Sequence, residues 1–122
     1  MTLTAAVLDE LRGVVGADGL ITTPEGRLVY ECDMHTLYKG APDAVVLPRS
    51  TAEVQAVVRI CRRAGIPIVP RGSGTGLIGG AMAPHGGVMV GLNRMDRILE
   101  IDLPNRCAVV QPGLINLGLT RA

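Results

Sequence analysis

The chain has no phenylalanine or tryptophan and only two tyrosines, Tyr30 and Tyr38. Its interior must therefore be filled by Val, Leu, Ile and Ala. With 48% apolar residues over 122 positions, that is enough for one domain. No cluster of Lys and Arg is interleaved with aromatics, and the formal net charge is +1, which speaks against a nucleic-acid partner. Cys32, Cys61 and Cys107 are far apart and form no CxxC. They suit a reducing compartment, outline neither a disulfide framework nor a metal site, and are read as packing residues. No apolar run approaches the roughly twenty residues needed to span a bilayer, so no transmembrane segment is expected. The first five residues, Met1 to Ala5, carry no basic charge, and Asp9 with Glu10 interrupts the apolar residues that follow; a signal peptide is not expected. There is no Gly-Lys-Ser/Thr, which excludes a Walker loop.

What the chain has in abundance is glycine, concentrated in one place. Gly72, Gly74, Gly76, Gly79, Gly80, Gly86, Gly87 and Gly91 make up half of the sixteen. Pro70-Arg71-Gly72-Ser73-Gly74-Thr75-Gly76 follows Ile66 to Pro70, which reads as a short buried strand of β-branched residues with proline at its edges. A strand delivering small residues and backbone N–H groups suits a phosphate, because donors can converge with no Cβ in the way. A flexible linker is the alternative, but linkers are polar, and this stretch carries Leu77, Ile78, Ala81 and Met82. Gly74 to Gly79 also matches GxGxxG. That fingerprint needs a helix opening inside it, and Pro84, Gly86 and Gly87 arrive too soon for one of normal length.

Elsewhere the pattern is regular. Leu3, Val7, Leu8, Leu11, Val14 and Val15 fall at helical spacing up to Gly16. Thr23 followed by Pro24 marks another helix start. Ala44 to Leu47 reads as a buried strand closed by Pro48. Ser50 and Glu53 form a capping box, with Ser50 accepting from the Glu53 N–H while Glu53 reaches back. Val54, Val57, Val58 and Cys61 are the expected apolar stripe of the helix that follows, and Arg59, Arg62 and Arg63 its solvated face. Gly65 is its expected terminator. Strand, helix and strand then form a parallel βαβ pair. Gly87 to Leu92 is a further strand. Arg97 to Asp102 alternates as a half-buried strand that pairs with Cys107 to Gln111 in a hairpin. Leu114 to Ala122 begins a helix. His35 could be a catalytic base, but with no carboxylate–nucleophile partner in view a surface or capping histidine is the simpler reading.

Three segments in this order resemble a known family: Asp43 to Val54, Ile66 to Gly76, and Gly91 to Asp102. They are similar to the N-terminal part of FAD-linked oxidases of the vanillyl-alcohol oxidase / p-cresol methylhydroxylase family. Tyr30-Glu31-Cys32-Asp33-Met34 and the Gly-Thr-Gly-Leu-x-Gly-Gly-Ala run look most like its glycolate oxidase D subunit and D-lactate dehydrogenase group. The resemblance runs from about Val29 to Gly113. It implies an α+β fold: the N-terminal subdomain of a PCMH-type FAD-binding domain, a βαβ unit plus a small mixed sheet, incomplete. Residues 1–40 would be a helical arm and residues 41–122 the first part of that domain.

The same resemblance implies FAD, with its diphosphate against Pro70, Arg71, Gly72, Ser73, Gly74, Thr75 and Gly76, and Gly79 and Gly80 shaping the return. For Arg71, a structural pairing and direct phosphate contact both stay open. Some relatives attach the flavin through a histidine in this loop; Thr75 stands there, so the FAD is expected to be non-covalent. The implied reaction is oxidation of a small 2-hydroxy acid, glycolate or D-lactate, to the 2-oxo acid. Flavin and iron–sulfur subunits are the implied partners. The expected compartment is the cytoplasm, with association to the inner membrane through those subunits left open. No catalytic constellation and no metal ligands are identified, so the chain is expected to be a fragment, inactive by itself. Two other readings stand: a nicotinamide-binding Rossmann module, which requires a helix opening at Gly76, and a non-catalytic assembly remnant.

Overall fold

The computed structural model describes residues 3–34 and 38–122; His35 lies outside the described residues. Helix α1 (Ala5–Val15) starts at Thr4, whose Oγ1 accepts from the Val7 N–H at 3.4 Å, and it buries Leu11 and Val15. A short strand, β1 (Leu20–Ile21), leads to the one-turn helix α2 (Pro24–Arg27), capped by Thr23. Strand β2 (Ala44–Val46) is followed by helix α3 (Thr51–Arg63), then β3 (Ile68–Arg71) and β4 (Val88–Gly91). The chain continues through β5 (Ile98–Asp102) and β6 (Cys107–Val110) to the short helix α4 (Asn116–Thr120).

The capping of α3 is nearly as the sequence implies. Ser50 Oγ accepts from the Glu53 N–H at 3.2 Å, but the Glu53 carboxylate reaches one residue past the cap, to the Arg49 N–H at 2.7 Å. At the other end Gly65 adopts φ +65°, the left-handed region where a side chain would be strained. The buried stripe is Val57, Ile60 and Cys61, whereas Val58 is exposed and Val54 half-buried. The expected stripe is thus corrected by one position: α1 packs beside α3 and draws Ile60 into the contact.

The sheet has the order β1-β2-β4-β3, with β2, β4 and β3 parallel and β1 antiparallel at the edge. Strands β2 and β3 are joined through α3 but do not pair; β4, later in the chain, inserts between them. The expected βαβ pair is therefore a crossover that skips one strand. β3 becomes an edge strand, half-buried rather than buried, and Pro70 is tolerated there because an edge strand needs no donor on its outer side. Both faces of the central strands are covered. Val46, Val88 and Val90 meet Leu11, Val15, Val57 and Cys61 on the helical side. Val45, Leu47 and Met89 meet Ala83 and Tyr30 on the other. Strands buried on two faces read as unbroken apolar runs, as Ala44 to Leu47 does. Each such side chain stabilises the fold by about 1.5–3 kcal/mol.

Strands β5 and β6 form a separate antiparallel hairpin. Its expected half-buried character is not found: Leu99, Ile101, Val109 and Val110 are exposed, because no further layer packs on it among the described residues. Cys107 is exposed here too, so of the three cysteines only Cys61 is a fully buried packing residue, while Cys32 is half-buried. Asp102 closes the turn, accepting from the Asn105 N–H at 3.0 Å and from Asn105 Nδ2 at 2.6 Å. No helix is long and apolar enough to cross a membrane among the described residues.

Candidate functional site

The parallel strands converge on the loop that follows β3. The Arg71 carbonyl accepts from the Leu92 N–H at 2.9 Å, so the sheet holds the chain up to the last residue before the glycines. From there the backbone leaves the ladder. Residues 72 to 81 run as bends and a turn, and Gly72, Ser73, Thr75 and Gly76 are exposed. Among the described residues the amides of residues 72 to 78 donate no hydrogen bond; the next ones that do are Gly79 and Met82. Seven consecutive N–H groups at the end of a strand are thus without a partner among the described residues. Backbone amides in this state are strong donors awaiting an acceptor. The hydroxyls of Ser73 and Thr75 hydrogen-bond to each other at 3.3 Å, one donating and the other accepting, which leaves one hydroxyl proton free.

The underside of the loop is built differently. Arg71 is buried, with its guanidinium turned into the protein. Its Nη1 donates to the Cys32 carbonyl at 2.8 Å and to the Ala81 carbonyl at 3.2 Å, and the group stacks 5.6 Å from the Tyr30 ring centre. Of the two roles left open for Arg71, the structure shows the structural pairing: the cation ties both ends of the loop region to the segment 28–34. Gly74 sits directly over it with φ +74°, and a Cβ there would overlap the guanidinium. Asp33, equally buried, accepts from the Gly79 N–H at 2.9 Å, and the Met34 N–H donates to the Gly76 carbonyl at 3.2 Å. Pro70 is exposed on the edge strand, Gly80 is exposed with open space around it, and Gly79 turns at φ +75°. Beside the amides lies a hollow of about 330 Å³ lined by Tyr38, Leu77, Ile78, Gly79 and Met82.

A helix opening at Gly76, which the nicotinamide-binding Rossmann reading demands, is absent. The next regular element is β4, and Pro84 with the Gly86–Gly87 pair stops any helix from forming before it. That reading is overturned. No group of three or more His, Cys, Asp or Glu could hold a metal ion among the described residues. Asp33 and Tyr30 were not singled out from the sequence as site residues; a lone aspartate in an irregular stretch carries no local signal of what it will hold.

A row of amides without a partner, among small residues, suits a dinucleotide diphosphate, and comparison with known proteins agrees. Residues 42–122 match the family model described as FAD binding domain. The chain belongs to that family. It is 43% identical over 120 residues to glycolate oxidase subunit GlcD of Bacillus subtilis, covering 98% of this chain and 26% of that protein. It is 36% identical over 114 residues to D-2-hydroxyglutarate dehydrogenase of Stutzerimonas stutzeri, covering 93% and 25%. Among solved structures, 4-ethylphenol oxidase from Gulosibacter chungangensis superposes with a TM-score of 0.84 at 30% identity over 96% of this chain and 23% of that one. p-Cresol methylhydroxylase does so at 0.80 with 25% identity, covering 95% and 23%. The chain spans about a quarter of the length of the curated relatives it matches. The cofactor of the family is FAD, the relatives are named oxidases and dehydrogenases, and the mixed α and β architecture is that of part of a PCMH-type FAD-binding domain.

Proposed function

We propose that this chain, with residues 1–40 as an arm on 41–122, forms the diphosphate-binding part of the FAD site in an oxidoreductase of small 2-hydroxy acids, glycolate or D-lactate. The observation that carries the reading is the run of amides from Gly72 to Ile78 with no acceptor, held out by β3. Two phosphate charges need several donors, and bonds to a charged acceptor are roughly twice as strong as neutral ones. Gly72, Gly74 and Gly76 admit the diphosphate against the backbone, and Ser73 and Thr75 add hydroxyls. Leu77, Ile78 and Met82 offer an apolar surface beside it. FAD supplies a hydride acceptor when bound. With Thr75 in the loop, and no histidine there, the cofactor is held without a covalent link.

What supports the substrate class is that the relatives' names share an α-hydroxy carboxylate: glycolate, D-2-hydroxyglutarate and D-lactate. Oxidising such an acid needs a cation for its carboxylate and a base for its hydroxyl proton, both near the flavin. This chain's own loop supplies neither, so by itself it binds cofactor without turnover. GlcD is named as a subunit, and partner subunits, including an iron–sulfur protein in a cytoplasmic assembly docked at the inner membrane, are part of the proposal. A second reading, a docking piece without flavin, draws on the exposed apolar side chains of the β5–β6 hairpin. One titration separates the two. Purified chain mixed with FAD should quench flavin fluorescence saturably, release all flavin on acid precipitation, and leave it oxidised when glycolate or D-lactate is added anaerobically. No quenching would favour the docking piece, acid-stable flavin would refute the non-covalent link, and bleaching by either acid would refute the missing machinery.

A further inference from the structure

The two buried charged side chains among the described residues are Asp33 and Arg71, and both brace the glycine loop from beneath. We infer that Asp33 is a positioning residue for the cofactor loop, acting with Arg71 to fix the backbone that carries the free amides; this rests on the reading of that loop as the FAD diphosphate site. The geometry is specific. The Asp33 carboxylate accepts from the Gly79 N–H at 2.9 Å, the first engaged amide after the free row. The neighbouring Met34 N–H donates to the Gly76 carbonyl, and the Cys32 carbonyl accepts from Arg71 Nη1 at the front of the row. Three successive residues, 32 to 34, therefore fasten both ends of the span whose amides are left open. A loop rich in glycine loses much backbone freedom when ordered. Fastening its ends in advance removes part of that cost from binding.

The inference makes a prediction opposite to simple electrostatics. A carboxylate under an anion site should repel the diphosphate, so removing its charge should tighten binding. If its task is to place the Gly79 amide, then what matters is an oxygen acceptor at that point, not the charge. Asp33→Asn keeps the acceptor and drops the charge; Asp33→Glu keeps the charge and displaces the acceptor by a methylene. The test is FAD titration of the 122-residue chain and both variants by flavin fluorescence. Thermal melting and amide exchange at Gly79, both without FAD, accompany it. Asn should bind FAD as tightly as wild type or more so, with Gly79 still protected. Glu should bind roughly tenfold more weakly and exchange faster at Gly79. Wild-type binding in Glu with wild-type exchange would overturn the positioning role, as would Asn weakened as much as Glu. If Glu does not fold, weakened binding in a folded Asn variant still overturns it, and unimpaired binding with Gly79 protected still supports it. A wild-type chain that binds no FAD would overturn the cofactor reading itself, and with it the role assigned to Asp33.

Discussion

Replacing Gly74 by alanine tests the architecture of the loop most directly. The residue sits at φ +74°, where an L side chain costs roughly 1–2 kcal/mol. The new methyl group would also overlap the Arg71 guanidinium, forcing it off the Cys32 and Ala81 carbonyls. A hydrogen bond from a charged donor contributes about 1.5–3 kcal/mol, but the long arginine can swing toward water and recover part of that. Together the terms amount to about 2–4 kcal/mol of lost stability, or a fall in melting temperature on the order of 10 °C for a chain of this length. Gly80→Ala is the control within the same loop. Nothing lies within 4 Å of its Cβ position and its φ is not positive, so restricting the unfolded chain should leave stability unchanged or raise it by about 0.4–1 kcal/mol. Thermal and urea melts of the two variants beside wild type decide the matter. Equal melting of Gly74→Ala and Gly80→Ala would refute the account of Arg71 as a clamp beneath the loop.

Other outcomes follow from burial and charge. Val57→Ala should cost about 2–3 kcal/mol, because the side chain is enclosed between α1 and the sheet, whereas Val58→Ala on the exposed side of α3 should stay within about 0.5 kcal/mol, measured by urea unfolding. A thiol reagent should modify Cys107 first and Cys32 next; Cys61 should react only on unfolding, since burial both shields its thiol and pushes its pKa up. The hydrogen bonds from Asn105 hold the Asp102 carboxyl below its usual range. Its contribution to the hairpin turn should therefore be complete above the unfolded-state pKa and disappear as pH falls through the lowered folded value. An Asn105 amide resonance titrating at or above the ordinary carboxylate range would contradict this.

How much of this could be read in advance depends on how local each cause is. The ends of α3 were legible because Ser50, Glu53 and Gly65 act on backbone a few residues away. The glycine loop was legible because its composition has few other uses, and the proline and glycines after it forbid a crossover helix. The face of α3 was not, since Ile60 is buried by α1, over forty residues away in the chain. Nor was the sheet order, in which β4 separates the two strands joined by α3. The hairpin's alternation was visible but its exposure was not, because alternation records a preference for burial and not the presence of a covering layer. For Arg71, sequence left two roles, and the structural pairing became visible only with the placement of Cys32 and Ala81.

By itself, then, the amino-acid order determined that a stiff β-segment would end in side-chain-poor backbone with donors to spare, because proline, β-branched residues and glycine constrain dihedral angles wherever they occur. Tertiary structure alone decided how the loop carrying those donors is fastened. The groups that brace it, Asp33 and Arg71, stand 38 positions apart and come to serve the same loop only when the segment 28–34 folds against it.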